Sequence, residues 1–190
     1  MVNHEYLALF FLTFGSYLNY IDRSLTFTLL PTFGTQFDID KSTQGVLSSS
    51  FLIGYAISSI IFCIMTHKID PRKILSIGCI IWCVSCLLMF TSNLSAMFIG
   101  RILSGVGEAA YQTIVPAYIE TKLPSEENKA RVPIYLAIYF SGIYVGSSFG
   151  IILGGIMYKY WKYAYLLEMF LMLPTIIYLM WSSNNDRDLS

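Results

Sequence analysis

Four ionisable side chains fall in stretches otherwise apolar enough to enter a bilayer. Asp22 and Arg23 lie in the run Asn19-Tyr20-Ile21-Asp22-Arg23-Ser24, and Arg101 and Glu108 lie in the run from Gly100 to Tyr111. A charge at bilayer depth costs about 2.5–3.5 kcal/mol on insertion scales, so it faces a bundle interior or a water-filled cavity and needs a partner. Arg101 and Glu108 are seven residues apart, close to two helical turns, which puts them on one face. Gly105 and Gly107 lie between them and thin the helix where a neighbour or a ligand can approach. Two acids and two bases sum to zero net charge, which an apolar surround tolerates. Two readings stand side by side: a satisfied buried network that only joins two helices, and a pathway for substrate and protons. Buried ionisable groups in membranes favour the second by default.

The elements that carry these residues follow from composition. The chain has 190 residues, 55% of them hydrophobic and only 13% charged, with a mean hydropathy of +0.60. Soluble domains carry about 25% charged residues, and long apolar stretches mark membrane spans. The expected fold class is therefore an all-α, multi-pass membrane protein. Twelve basic residues balance twelve acidic ones, so neither nucleic-acid binding nor a polybasic lipid-binding tail is indicated. Cys63, Cys79, Cys83 and Cys86 all fall in expected spans. The last three share a helical face, but with no His or carboxylate near them in sequence they read as small apolar packing residues, with no metal or other cofactor expected. The amino terminus lacks the basic region of a secretory signal, so the first helix is expected to remain in the protein.

Six apolar segments are expected as helices over about 6–30, 43–65, 74–90, 95–119, 134–158 and 163–181, forming one bundle over 1–182 with a polar cytoplasmic tail at 183–190. Pro31 and Gly34 are expected to end the first helix, and the Asp38–Thr43 turn to supply an N-cap for the second. Pro124-Ser-Glu-Glu resembles the start of a short surface helix, and Pro174 is expected to kink the sixth. Six crossings put both termini on one side. Inner loops would hold Lys68, Arg72, Lys73, Lys122, Lys129, Arg131 and, in the tail, Arg187, against Lys41, Lys159 and Lys162 outside. That asymmetry favours cytoplasmic termini.

Helical rise then sets depth. Asp22 and Arg23 lie roughly 24–26 Å above the inner face if the first helix enters near Tyr6. Arg101 lies about 9 Å below the outer face, or roughly 21–25 Å above the inner one, and Glu108 about 10 Å deeper. Asp22 and Arg101 therefore arrive at similar heights, and a cluster of Asp22, Arg23, Arg101 and Glu108 is expected between helices one and four, the first of each half of a three-plus-three arrangement. Glu168 is a weaker candidate at about 8 Å below the outer face, where an interfacial position accounts for it. In the fifth helix Gly142, Gly146, Gly150 and Gly154 recur every four residues, making one face small enough for close backbone approach. Permanent packing and a surface that slides during transport fit that ladder equally.

Together these features resemble the major facilitator superfamily of secondary transporters, and within it the spinster family of lipid-related carriers. The resemblance rests on Asn19-Tyr-Ile-Asp22-Arg23 followed by Leu30-Pro31, on Arg101-Ile-Leu-Ser-Gly105-Val-Gly107-Glu108-Ala-Ala-Tyr111-Gln-Thr-Ile-Val-Pro116, and on the glycine ladder ending Gly154-Gly155. It implies six transmembrane helices as a 3+3 inverted repeat, one half of a twelve-helix fold that works by rocking two halves against each other. It implies that Asp22 titrates with protons, that Arg23 and Arg101 attract the anionic part of a substrate, and that Glu108 couples to Arg101 or takes part in proton movement. Asp70, Arg72 and Lys73 would form the inner gate loop, here shortened and with Thr66 at its first glycine position. The implied substrates are lysophospholipids, sphingoid phosphates or other amphipathic organic anions, in a plasma or endolysosomal membrane.

The expected function is thus a proton-coupled secondary transporter for an amphipathic or small organic anion. The alternative is a non-transporting half-length paralogue or fragment that binds and regulates a full-length carrier. A second six-helix half, as a copy or a paralogue, is the expected protein partner. An enzyme is not indicated: no Gly-x-Ser-x-Gly elbow or His-Glu-x-x-His site occurs, and His4 and His67 fall at polar ends.

Overall fold

The computed structural model describes residues 2–124 and 126–185, with side chains for 5–124 and 128–183. His4's side chain, Arg187 and the rest of the expected tail beyond Asn185 lie outside the described residues. The described chain is all-helical: α1 (Val2–Phe37), α2 (Lys41–Met65), α3 (Pro71–Phe90), α4 (Leu94–Thr121), α5 (Val132–Met157) and α6 (Trp161–Asn185), with 3₁₀ turns at Glu126–Arg131 and Tyr158–Tyr160. Three stretches are long and apolar enough to cross a membrane by length and composition: Lys41–Met65, Pro71–Phe90 and Asn128–Ser183, the last holding both α5 and α6. The two helices outside that set, α1 and α4, are those whose apolar runs are diluted by the buried charges.

Local chemistry explains the boundaries. The Asp40 side chain accepts from the Thr43 amide at 3.0 Å to cap α2, Asp70 caps α3 ahead of Pro71 at its first position, and Asn93 caps α4 by accepting from the Ala96 amide. The first helix corrects an expectation. It runs unbroken through the Asn19–Ser24 polar run, Pro31 and Gly34, and ends at Phe37. Asp38 there turns left-handed, with φ of 50°, and the Ile39 amide donates back to the Gly34 carbonyl at 3.2 Å, the closure of a Schellman motif. A proline removes one backbone donor, but lipid offers the freed groups no other partner, so the helix continues. The sixth helix likewise runs two residues past Ser183, into the expected tail.

Packing is pairwise: α1 lies parallel to and against α5, α4 against both α2 and α3, and α3 against α6. The glycine ladder forms the first of these contacts. Gly142, Gly146, Gly150 and Gly154 are buried beneath Tyr17, Tyr20, Ile21, Ser24 and Thr28 of α1, and a Cβ on Gly146 would stand 2.8 Å from the Tyr17 carbonyl. Gly155, next to the ladder, faces open space.

Candidate functional site: a charge-paired cleft between α1, α2 and α4

Asp22 and Arg101 are in direct contact. Arg101 Nη1 donates to Asp22 Oδ2 at 2.8 Å, and the two side chains are each only 2% exposed. The second pair is Arg23 Nη2 with Glu108 Oε2, joined as an ion pair and hydrogen bond. Glu108's direct partner is therefore Arg23 rather than Arg101. Side-chain direction accounts for this crossing. Side chains tilt toward the N-terminus of their own helix, so Arg23 on ascending α1 leans down and Glu108 on descending α4 leans up, closing the vertical gap between them.

The two pairs differ in exposure. Glu108 is fully buried, but the Arg23 side chain is 35% exposed and reaches a cleft of about 520 Å³ lined by Arg23, Ser24, Phe27, Phe51, Leu52 and Arg101, with Ser48, Ser49 and Ile151 beside them. One aromatic ring serves both guanidiniums: Phe51 of α2 lies 4.6 Å from the Arg23 centre and 5.7 Å from that of Arg101, with Tyr20 5.2 Å from Arg23. Cation–π contact of this kind stabilises a guanidinium without neutralising it. Phe51 carried no signal in the sequence, where it is one apolar residue among many.

The motif glycines place the walls. A Cβ on Gly105 would collide with the Phe51 carbonyl and stand 2.8 Å from the Tyr55 amide of α2, and one on Gly107 would stand 2.7 Å from the Gly78 carbonyl of α3. Gly105 thus lets α2 approach α4 closely enough to bring Phe51 over the arginines. Glu168 corrects the interfacial reading: it is 1% exposed and lies within electrostatic reach of Asp22, Arg101 and Glu108.

Away from the cleft, Asp70 and Arg72, expected as part of an inner gate loop, join α3 to α6. Asp70 and Arg72 form a salt bridge at 3.0 Å, Arg72 Nη1 donates to the Ser182 carbonyl and hydroxyl at 3.0 and 3.1 Å, and the Ser183 hydroxyl donates to Asp70. Lys73 stands beside them, lining a cleft with Met180 and Ser183. Burial alone would raise the Asp70 carboxyl, but hydrogen bonds from the Arg72 side chain and backbone, with its charge, hold it below the usual range. A carboxyl depressed in the folded state adds stability above its unfolded value, near 3.9, and loses it only as pH falls through the folded value. The latch is therefore expected to stay closed through mild acid. Arg72→Ala is expected to weaken it by about 1 kcal/mol, the scale of a partly exposed pair, and hydrogen exchange in the last turn of α6 should rise several-fold. Unchanged exchange there would show that the latch holds nothing.

The described residues form helices with long apolar spans and a paired set of buried charges beside a cleft, as in an integral membrane protein. The chain belongs to the Major Facilitator Superfamily, whose family model matches residues 12–189. Among curated relatives it is 30% identical over 143 residues to a probable sphingolipid transporter, spinster homolog 2 of Arabidopsis thaliana, covering 73% of this chain and 28% of that one. It is 30% identical over 150 residues to the sphingosine-1-phosphate transporter of Danio rerio, covering 76% and 29%. It is 31% identical over 144 residues to protein spinster of Drosophila melanogaster, covering 75% and 23%. The match thus spans less than a third of each relative's length. Its fold is similar to that of a bacterial homolog of the human lysosomal transporter Spinster, solved in an inward-facing, unoccupied conformation, with a TM-score of 0.71 at 20% identity over 93% of this chain and 42% of that one.

Proposed function

We propose that this chain supplies the amino-terminal six-helix half of a proton-coupled carrier for amphipathic organic anions, its helices arranged as a 3+3 inverted repeat with both termini in the cytoplasm. One observation carries the reading: two guanidiniums border a cleft walled by apolar side chains and three serines, and each is already held by a buried carboxylate. Such a site is complementary to a molecule with one hydrocarbon chain and one anionic head, and the names of the sphingolipid and sphingosine-1-phosphate transporters it is similar to fit that class. Arginine takes phosphate or carboxylate through two parallel hydrogen bonds, so the head of the substrate would displace Asp22 from Arg101. An Asp22 carboxylate left without its partner in a dry site neutralises by taking a proton. Substrate and proton are thereby linked at one atom pair. Arg23 would guide the head in, and Glu108 would keep Arg23 paired while the cleft is empty.

The far wall of the pathway would come from a second six-helix half, consistent with the short span of each relative that is matched. The account is tested by uptake of sphingosine 1-phosphate into proteoliposomes carrying the protein in its natural assembly, with a pH gradient imposed. Wild type should accumulate it, and Asp22→Asn/Glu168→Gln, which removes Asp22 together with the buried carboxyl of α6, should abolish gradient-driven accumulation. Gradient-driven accumulation that survives this double variant overturns the coupling. Loss of uptake with intact binding to a full-length relative would instead favour a regulator.

A further inference from the structure

Glu168 lies on α6, outside the two ion pairs, and it is 1% exposed with neither carboxyl oxygen meeting a hydrogen-bond donor. Its helix places it with care. One turn earlier on α6 the Tyr165 hydroxyl shares a 2.8 Å hydrogen bond with Thr26 of α1, and Thr26 is one turn from Asp22. The faces Tyr165–Glu168 and Asp22–Thr26 therefore run side by side. Charged and titratable groups reach Glu168 from each of these elements: Asp22 from α1, Cys86 from α3, Arg101 and Glu108 from α4, and Tyr165 from α6. Three buried carboxyls, Asp22, Glu108 and Glu168, then stand with two guanidiniums, Arg23 and Arg101. Fully ionised, the cluster would carry one excess negative charge. A carboxylate buried without hydrogen bonds neutralises rather than remain charged, and neighbouring carboxyls that repel share protons as a unit.

We propose that Glu168 is a second proton site of this cluster, sharing one proton with Asp22 across Arg101. With the site empty, Asp22 is ionised and holds Arg101, and Glu168 is the carboxylic acid. With no substrate bound, the O–H bond of Glu168 can break and its proton pass to the Asp22 carboxylate, so that Asp22 becomes the acid and the Glu168 carboxylate takes over Arg101. Arg101 thus never lacks a counter-charge. An arriving anion takes Arg101 from either acid, leaving both protonated and drawing one proton from solution. This rests on the carrier reading for its purpose, but not for its test.

The test is isotope-edited infrared spectroscopy of the full chain in lipid, grown with carboxyl-labelled glutamate. At neutral pH wild type should show a carboxylic-acid band that shifts with the label. Glu168→Gln should lose it, Glu108→Gln should keep it, and Asp22→Asn should lose it, because Glu168 then ionises to pair with Arg101. No label-sensitive band in wild type, a band that survives Glu168→Gln, or one indifferent to Asp22→Asn overturns the proposal. Should Glu168→Gln not fold, the double variant Glu5→Gln/Glu108→Gln leaves Glu168 as the one buried glutamate among the described residues, and its band decides the matter. A chain that shows the band but transports nothing would fail the carrier reading while this site stands, and a carrier without the band would do the reverse.

Discussion

Arg101→Ala is expected to lower stability by about 3–5 kcal/mol, the cost of removing one partner from a buried ion pair. The arginine and Asp22 are each 2% exposed, so the loss leaves a carboxylate with neither water nor counter-charge. Replacing both partners by neutral groups of similar shape, as in Asp22→Asn/Arg101→Met, should cost far less, because a matched apolar or hydrogen-bonded replacement of a buried pair is close to neutral. Unfolding followed by denaturant titration in mild detergent separates the two. Equal losses for single and double variants would mean that the pair's energy lies in packing rather than in charge.

Gly105→Val is expected to be nearly as damaging. The added Cβ would collide with the Phe51 carbonyl and crowd the Tyr55 amide, and backbone, unlike a side chain, has no other rotamer to adopt. The helices must separate. Overpacking costs about 1–3 kcal/mol where side chains can give way, so a backbone clash should lie at or above about 3 kcal/mol. The same separation lifts Phe51 from both guanidiniums. Gly155→Val is the control: nothing lies within 4 Å of its added carbon, so its effect should stay within about 0.5 kcal/mol. Thermal stability by size-exclusion profile after heating ranks the two, and Gly105→Val behaving like Gly155→Val would contradict the close approach of α2 and α4.

The Asp22–Arg101 contact was legible in the sequence because helical rise converts residue number into depth and charges in lipid must find one another. The partner of Glu108 was half legible: the count placed it on the right face, but the opposite tilt of side chains on antiparallel helices gave it to Arg23. Glu168 was misjudged for a physical reason. Counting from the expected start of the sixth helix at Tyr163 put it about 8 Å below the outer face, whereas α6 begins alongside an α1 that continues to Phe37. Trp161, at the start of α6, packs on Phe33 at 4.9 Å and donates to Gln36 at 2.8 Å, so Glu168, two turns below, reaches the level of Asp22. The glycine ladder was visible as a period, but its partner was not, since lipid and protein are equally apolar neighbours and only the closeness of α1 distinguishes them. Phe51 had no signal at all: its role comes from Gly105 on another helix.

The most direct measurement of the central claim is proton exchange on ligand binding. Sphingosine 1-phosphate would be added to the purified protein in weakly buffered detergent with a pH-sensitive dye, alongside an independent reading of bound ligand. The displacement of a carboxylate from Arg101 predicts uptake of about one proton for each anion bound, as for a carboxylate that loses its counter-charge, and no uptake in Asp22→Asn/Glu168→Gln at similar occupancy. Binding by wild type with no change in proton content would contradict it.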